Sequence, residues 1–405
     1  MKKQFKLEIG EPILVHQGKE DETEWGYYQF PHIFYTKDGS IGVRWNERPD
    51  DCVKYEKKDF GEAISDDGGK TWREKLPTDF EIKDYKMNNG CYFMGFVKQG
   101  VCEAEYLEHH TPVCAIGKEG GQLHFAEDIT EYKEQIEAME YDPVTNERRT
   151  FPIQVNWRHR PLVERKPGKY ILPVSYMLWL GNDTGTIRLN DDLYYCTYSQ
   201  GFDSSKENRE EAIYPYCEYR SIYIFRSCDN GRTWDYFSQV SIDEDVVRFS
   251  KRGLEGFCEP MMEQMPDGSV VMLMRSGGRF GQSLPCYMTR STDGCKTWSK
   301  PVRFGSVGVL PHIMTLGCGV TLSSYGRPGL FLRATGDPAG LEWEDEIEIP
   351  LCEGEGHKAC YYTRMIPLDD TTALMVHTDF HYPQPNGEGV GKAVLVRKIK
   401  VILED

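Results

Sequence analysis

At 405 residues the chain is long enough for two average domains, but radially repeated four-stranded sheets reach this length as one, so a single domain over 1–405 is expected. A formal net charge of −16 without any basic run argues against a nucleic-acid footprint and against attraction to an anionic membrane surface. No segment approaches the roughly 18 apolar residues of a spanning helix, which excludes an ordinary transmembrane segment.

Taken in order, Tyr28 to Phe34, the turn Lys37-Asp38-Gly39-Ser40 and Ile41 to Trp45 form a first hairpin that ends at Arg48. From Asn89 the pattern blurs: Cys91 to Val97 and Val113 to Ile116 read as strands. Asp128 to Met139 instead places Ile129, Tyr132, Ile136 and Met139 at helical spacing, so an inserted loop region over about 98–150, carrying a short helix, is expected. Pro152 to Trp157 and Tyr170 to Leu180 resume the strand pattern around Arg158-His159-Arg160, a cationic cluster suited either to an acidic sugar or to a solvated strand end. Tyr219 to Arg226 follows. Met261 to Met265, Pro266-Asp267-Gly268-Ser269 and Val270 to Met274 then make the clearest hairpin of the chain, opened by Glu259 and closed by Arg275. Val309 to Met314, Val320 to Ser324 and Ala373 to His377 continue the series, and Ala393 to Ile402 is expected to close a sheet with Phe5 to Ile9.

Three octets punctuate these strands: Ser65 to Trp72, Ser227 to Trp234 and Ser291 to Trp298, with a decayed fourth copy over Thr335 to Trp343. In each, Ser and Asp can bond the loop's own backbone, Gly or Asn takes a φ > 0 position, and Trp packs beneath the turn. These octets are the Asp-box, or bacterial neuraminidase repeat, and the chain resembles the sialidase-like six-bladed β-propellers over most of its length. The resemblance implies an all-β fold and an exo-acting, retaining glycoside hydrolase that removes a terminal, acidic sugar.

By the same resemblance, Tyr362 is the nucleophile, favoured over Tyr361, Glu259 is its base, and an Asp on the loop after Arg48 is the general acid. Asp51 is the choice, with Asp50, Glu56 and Asp59 competing. Arg275 and Arg327 correspond to carboxylate-binding arginines, with Arg333 the alternative to Arg327. Gln29 stands where the family carries a third arginine. Arg48, Arg158 and His159 complete the expected substrate-binding set. A phenol suits a keto-acid glycoside because a carboxylate nucleophile would be repelled by the sugar's own carboxylate.

Two rivals stay open: a glycosidase or lyase on the same fold acting on a different sugar, favoured by Gln29, His32, His159 and His312, and a non-catalytic carbohydrate-binding propeller. The 13 cysteines are scattered without a C-x-x-C pair, and the histidines lack a metal-binding spacing, so no metal or cofactor is expected. The amino terminus lacks the apolar stretch of a signal peptide, so a cytoplasmic protein is expected, although a secreted or periplasmic protein already stripped of its signal would read the same way.

Overall fold

The computed structural model describes residues 2–50, 60–83, 85–98, 114–116, 121–123, 137–156, 177–178, 185–202, 217–240, 254–278, 284–385, 387 and 389–404. Within them the chain is all-β, with no helix, and its strands form six blades arranged as a β-propeller. Blade 1 runs outward through Gln29–Thr36, Ile41–Asn46, Phe60–Ser65 and Arg73–Glu74. Blade 2 contains Tyr92–Lys98, Glu137–Asp142 and Glu147–Pro152. Blade 3 contains Thr186–Leu189, Asp192–Phe202, Cys217–Ser227 and Thr233–Val240, and blade 4 Leu254–Gln264, Val270–Gly278, Cys286–Ser291 and Val302–Arg303. Blade 5 is Val309–Thr315, Thr321–Gly326, Leu330–Thr335 and Ile347–Glu348. Blade 6 is Arg364–Pro367, Thr372–Pro383 and Val390–Leu403, completed from the amino terminus.

That completion follows the sequence expectation: Phe5 pairs with Leu403 and Ile9 with Ile399. A second amino-terminal strand, Ile13–Gln17, pairs with the earlier half of the same partner. Both halves of the last strand are thereby covered by chain ends that meet across the ring, so no long edge is left there.

One local expectation is corrected. Met139, read as the end of a helix, lies in the strand Glu137–Asp142, which pairs with Tyr92–Lys98 on one side and Glu147–Pro152 on the other. Alternate burial of Ala138 and Glu140 on this strand is a period of two, and sheet pairing overrides the weak 3.6-residue spacing. The residues from Glu137 to Thr150 that fell inside the expected insertion are therefore blade; Ile129, Tyr132 and Ile136 lie outside the described residues.

The apolar residues lie between blades rather than in one central core. Phe93, Phe96 and Phe151 of blade 2 pack with Tyr195, Phe225 and Trp234 of blade 3, and similar clusters fill the seams between blades 3 and 4, 4 and 5, 5 and 6, and 6 and 1. The seam between blades 1 and 2 uses an aromatic and cationic set instead: Phe80 meets Tyr141 edge-on at 5.3 Å and carries the Arg148 guanidinium at 4.4 Å.

The octet turns have the expected chemistry. Asp67 Oδ1 accepts from the N–H groups of Lys70 and Thr71 at 3.0 and 2.9 Å, and Ser65 Oγ accepts from Gly69 N–H at 2.8 Å. Asp229 and Ser227 repeat the pattern, as do Asp293 and Ser291. In the fourth copy Asp337 accepts from Leu341 N–H, and Trp343 Nε1 donates to Gly340 O at 2.9 Å, as Trp234 does to Gly231 O at 3.0 Å. Positive φ falls on Gly68 and Gly69, on Asn230 and Gly231, and on Gly294 and Cys295, so one of these positions is filled by a side chain the rule would not choose. Trp234 is fully buried, while Trp72 and Trp298 are half-buried against the same kind of seam.

Candidate functional site

The innermost strands of blades 1, 4 and 5 begin alike. Phe30-Pro31, Glu259-Pro260 and Leu310-Pro311 each put a residue at positive φ (53°, 46° and 38°) just before a proline, and each sits in a register shift of its strand pair. Blade 6 has Tyr361 at φ 65° just before its first strand. A bulge of this kind re-aims side chains and backbone groups at the end of a strand, and strained positive-φ residues cluster where function requires a fixed geometry. Here the residues at these bulges meet: Leu310 N–H reaches Glu259, and Phe30 reaches it through the Tyr362 ring.

Glu259 is the centre of that meeting. Its Oε1 accepts from the Tyr362 hydroxyl at 2.9 Å and from Arg275 Nη1 at 3.0 Å, and its Oε2 accepts from the Leu310 N–H at 2.9 Å. Burial alone would push this carboxyl up, but Arg275, the Leu310 N–H and Tyr362 outweigh it and hold the group below the usual carboxylate range. Burial, followed by the Glu259 charge, pushes the Tyr362 phenol well above its ordinary 10, with Arg275 and Arg327 opposing in part. Burial would lower Arg275, yet the neighbouring carboxylate raises it, so the guanidinium stays charged. The resting arrangement is a carboxylate that receives a proton-bearing phenol.

Around this unit stand aromatic rings and a second cation. Phe30 meets the Tyr362 ring edge-on at 5.0 Å. The Arg327 guanidinium lies 5.6 Å from the Tyr362 ring centre and 5.2 Å from that of Trp25, and its Nη2 donates to Cys360 O at 3.1 Å. Trp25 touches Phe30, His357 and Phe380 and donates from Nε1 to Asp50 at 3.2 Å. Asn46, which bonds both Gly26 O and Arg48 O, ties the Trp25 segment to the loop that carries Asp50.

The sequence-derived residues divide as follows. Tyr362, Glu259, Arg275 and Arg327 converge, and Arg48 and Asp50 lie on the loop beside Trp25. Gln29 is completely buried next to Phe30, with neither side-chain Oε1 nor Nε2 partnered among the described residues. Asp51, Glu56, Asp59, Arg158 and His159 lie outside the described residues. The alternatives separate cleanly. Tyr361 turns its hydroxyl to the Lys358 N–H at 3.1 Å, and Arg333 spends its guanidinium on the carbonyls of Phe304, Glu344 and Trp343. His32 pairs with Glu81 at 3.0 Å, and burial drives His312 well below 6.5. Two contributors escaped the sequence: Trp25, on a loop with no pattern, and the backbone N–H of Leu310. The recurring residue-Pro step in three inner strands is a signal that could have found Leu310. Among the described residues no group of three or more His, Cys, Asp or Glu is arranged to hold a metal ion.

No family model matches the sequence, and no curated protein sequence matches it. Solved structures do resemble it. A protein of unknown function from Dyadobacter fermentans aligns over 98% of this chain and 99% of its own at 16% identity, with a TM-score of 0.61. The Hadza microbial sialidase Hz136 aligns over 95% of this chain and 67% of its own at 14% identity, TM-score 0.50, and the Penicillium chrysogenum α-L-arabinanase complexed with arabinobiose over 96% and 98% at 14% identity, TM-score 0.50. At such identities the likeness is one of fold: the chain is similar in architecture to propeller glycosidases, a six-bladed ring whose neighbours bind carbohydrate.

Proposed function

We propose that this chain is an exo-acting glycoside hydrolase of the sialidase-like, Asp-box superfamily, removing a terminal acidic sugar with retention of configuration. The observation that carries the reading is the Tyr362–Glu259–Arg275 contact, in which residues about 100 positions apart share one buried hydrogen-bonded unit. As the Tyr362 oxygen bonds to the anomeric carbon, Glu259 takes the phenolic proton. The leaving oxygen departs with a proton from an aspartic acid of the loop after Arg48. Asp51 is the sequence's choice for that acid, and Asp50, beside Trp25, is its neighbour. Water then attacks the glycosyl-tyrosine, that aspartate accepts the water's proton, and Tyr362 leaves with the proton held by Glu259.

The electrostatics suit a substrate-triggered transfer. A phenol pushed above 10 keeps its proton at rest, and a carboxyl held low is a weak base until attack begins to strip that proton. Arg275 stabilises the negative charge throughout, and Arg327 and Arg48 supply cations for a sugar carboxylate. The completely buried, neutral Gln29 favours a second reading in its substrate detail: a sugar other than sialic acid, handled by a glycosidase or lyase on the same ring. The test is turnover of aryl sialosides, arabinofuranosides and uronides by the native chain, Tyr362→Phe, Glu259→Gln and the double variant. Each single variant should lose at least about 10³-fold, and the double little more, because groups acting as a unit are non-additive. Tyr362→Phe retaining most of its turnover on an accepted glycoside would sink the mechanism. Binding without turnover on any of them would leave the carbohydrate-binding reading in its place.

A further inference from the structure

Trp25 touches both ends of the proposed chemistry. Its ring carries the Arg327 guanidinium at 5.2 Å, and the Tyr362 ring lies 5.6 Å from the same group. Its Nε1 donates to Asp50 Oδ2 at 3.2 Å, and its carbonyl accepts the Asp50 N–H at 3.0 Å. The segment around it is held from three sides. Lys392, buried in the last strand, donates to Glu24 O and to Tyr27 O, the latter at 3.3 Å. Asn46 donates from its side chain to Gly26 O at 3.1 Å and accepts the Tyr28 N–H on its own carbonyl at 2.7 Å. Gly26, at φ 114°, lies against the loop after Arg48: a Cβ there would stand 2.2 Å from Asp50 N and 2.5 Å from Arg48 O. Trp25 therefore has little freedom of its own, and it passes that order to the groups it touches.

The two arginines of the site are held in different ways. Arg275 is paired with Glu259 at 3.0 Å. Arg327 pairs with no carboxylate among the described residues and spends one donor on Cys360 O. Ring faces attract a guanidinium without using its N–H groups, so the two rings hold Arg327 while leaving donors for the carboxylate of a substrate. At the other end, Asp50 commits Oδ2 to the indole, and its Oδ1 accepts no hydrogen bond among the described residues.

From this geometry we propose that Trp25 is a positioning residue with two separable duties, a proposal that rests on the glycoside hydrolase reading and deepens it. With its ring Trp25 holds Arg327 for the acid group of the sugar, and with its N–H it holds Asp50, as the general acid in preference to Asp51, for the leaving oxygen. The glycosidic C–O bond breaks as the bond to Tyr362 forms. An alkyl leaving group then departs as the alcohol, taking the Asp50 proton, whereas 4-nitrophenolate is stable enough to depart without one. The two duties therefore answer to different features of the substrate: one to its charge, the other to its leaving group.

The experiment measures kcat/KM on the full chain for matched 4-nitrophenyl and methyl glycosides of N-acetylneuraminic acid and of glucuronic acid. It compares the native protein with Trp25→Phe, Trp25→Leu, Asp50→Asn and Tyr362→Phe, with thermal unfolding to check that each variant folds. Trp25→Phe keeps a ring against Arg327 and loses the N–H, so on the accepted pair it should fall about tenfold or more with the methyl glycoside and less than about threefold with the 4-nitrophenyl one. Asp50→Asn should show the same selective loss, and the double variant Trp25→Phe, Asp50→Asn should be little worse than Asp50→Asn. Trp25→Leu should fall about fivefold or more on both glycosides, since Arg327 loses its ring as well. Should Trp25→Leu fail to fold, the split between leaving groups in Trp25→Phe alone decides. Equal losses on both glycosides in Trp25→Phe, no loss on either, an Asp50→Asn indifferent to the leaving group, a Trp25→Leu no worse than Trp25→Phe on the 4-nitrophenyl glycoside, or no turnover by the native chain would overturn the inference. A split that persists while Tyr362→Phe keeps its turnover would uphold Trp25 and remove the nucleophile; an inactive Tyr362→Phe without a split would remove Trp25 alone.

Discussion

Glu263 offers a quantitative test of how the ring treats charge. It sits on the innermost strand of blade 4, and its Oε1 accepts the Thr315 N–H of blade 5 at 2.9 Å. Burial lifts its carboxyl from the ordinary 4.5 to about 7, with the Thr315 hydrogen bonds opposing. The unfolded chain therefore releases this proton near pH 4.5 and the folded chain only near 7, so stability is full below 4.5 and is lost as pH rises through 7. At about 1.4 kcal/mol per pH unit across that interval, the deficit at pH 8 approaches about 3 kcal/mol. Glu263→Gln keeps an acceptor for Thr315 and removes the ionisation. It should raise stability by up to about 3 kcal/mol at pH 8 and change it by less than about 1 kcal/mol at pH 4. Urea unfolding of both proteins at the two pH values measures the difference. A variant no more stable than the parent at pH 8, or one stabilised equally at both pH values, would refute the reasoning.

Three further outcomes are expected. Trp234→Ala, which empties a fully buried site between blades 2 and 3, should cost about 3–5 kcal/mol in denaturant unfolding; a cost below about 1 kcal/mol would contradict the seam packing. Arg333→Ala should lower the melting temperature, because three backbone carbonyls lose their donor, and leave turnover on any accepted glycoside intact, whereas Arg327→Ala should lower turnover sharply, as melting curves and kcat on the two variants would report. Because Gln29 brings no charge to the site, hydrolysis of an aryl sialoside should stay far below a kcat on the order of 10 s⁻¹, and a value that high would show that the missing cation is dispensable.

What could be read in advance followed from local chemistry. The octet turns were legible because Ser65, Asp67 and their counterparts bond only their own loop, so spacing alone specifies them. The final strand was legible because Ala393 to Ile402 needed an edge partner and Phe5 to Ile9 had the alternation to provide one. Glu259 and Tyr362 were legible through resemblance, since nothing in their immediate neighbours states that they touch. Leu310 was not, because its contribution is a main-chain N–H freed by a bulge, which any side chain would supply. Trp25 was not, because its place beside Arg327 depends on a loop held by Asn46 from another part of the blade. Blade 2 was misread where isolated apolar residues matched a helical period that its cross-strand partners override.

The way the ring is closed also sets a clock. Phe5–Ile9 leaves the ribosome about 400 residues before the strand it pairs with, so at about 5–20 residues per second it waits roughly 20–80 s without its partner. Blades 1 to 5 can assemble in order as they emerge, each against the one before, while blade 6 and its seam with blade 1 form only after Val390–Leu403 has emerged. Glu259 emerges with blade 4 and Tyr362 at the threshold of blade 6. The candidate chemistry is therefore assembled only as blade 6 emerges, and until the last strand follows, Phe5–Ile9 is an unpaired edge open to chaperones and neighbouring chains.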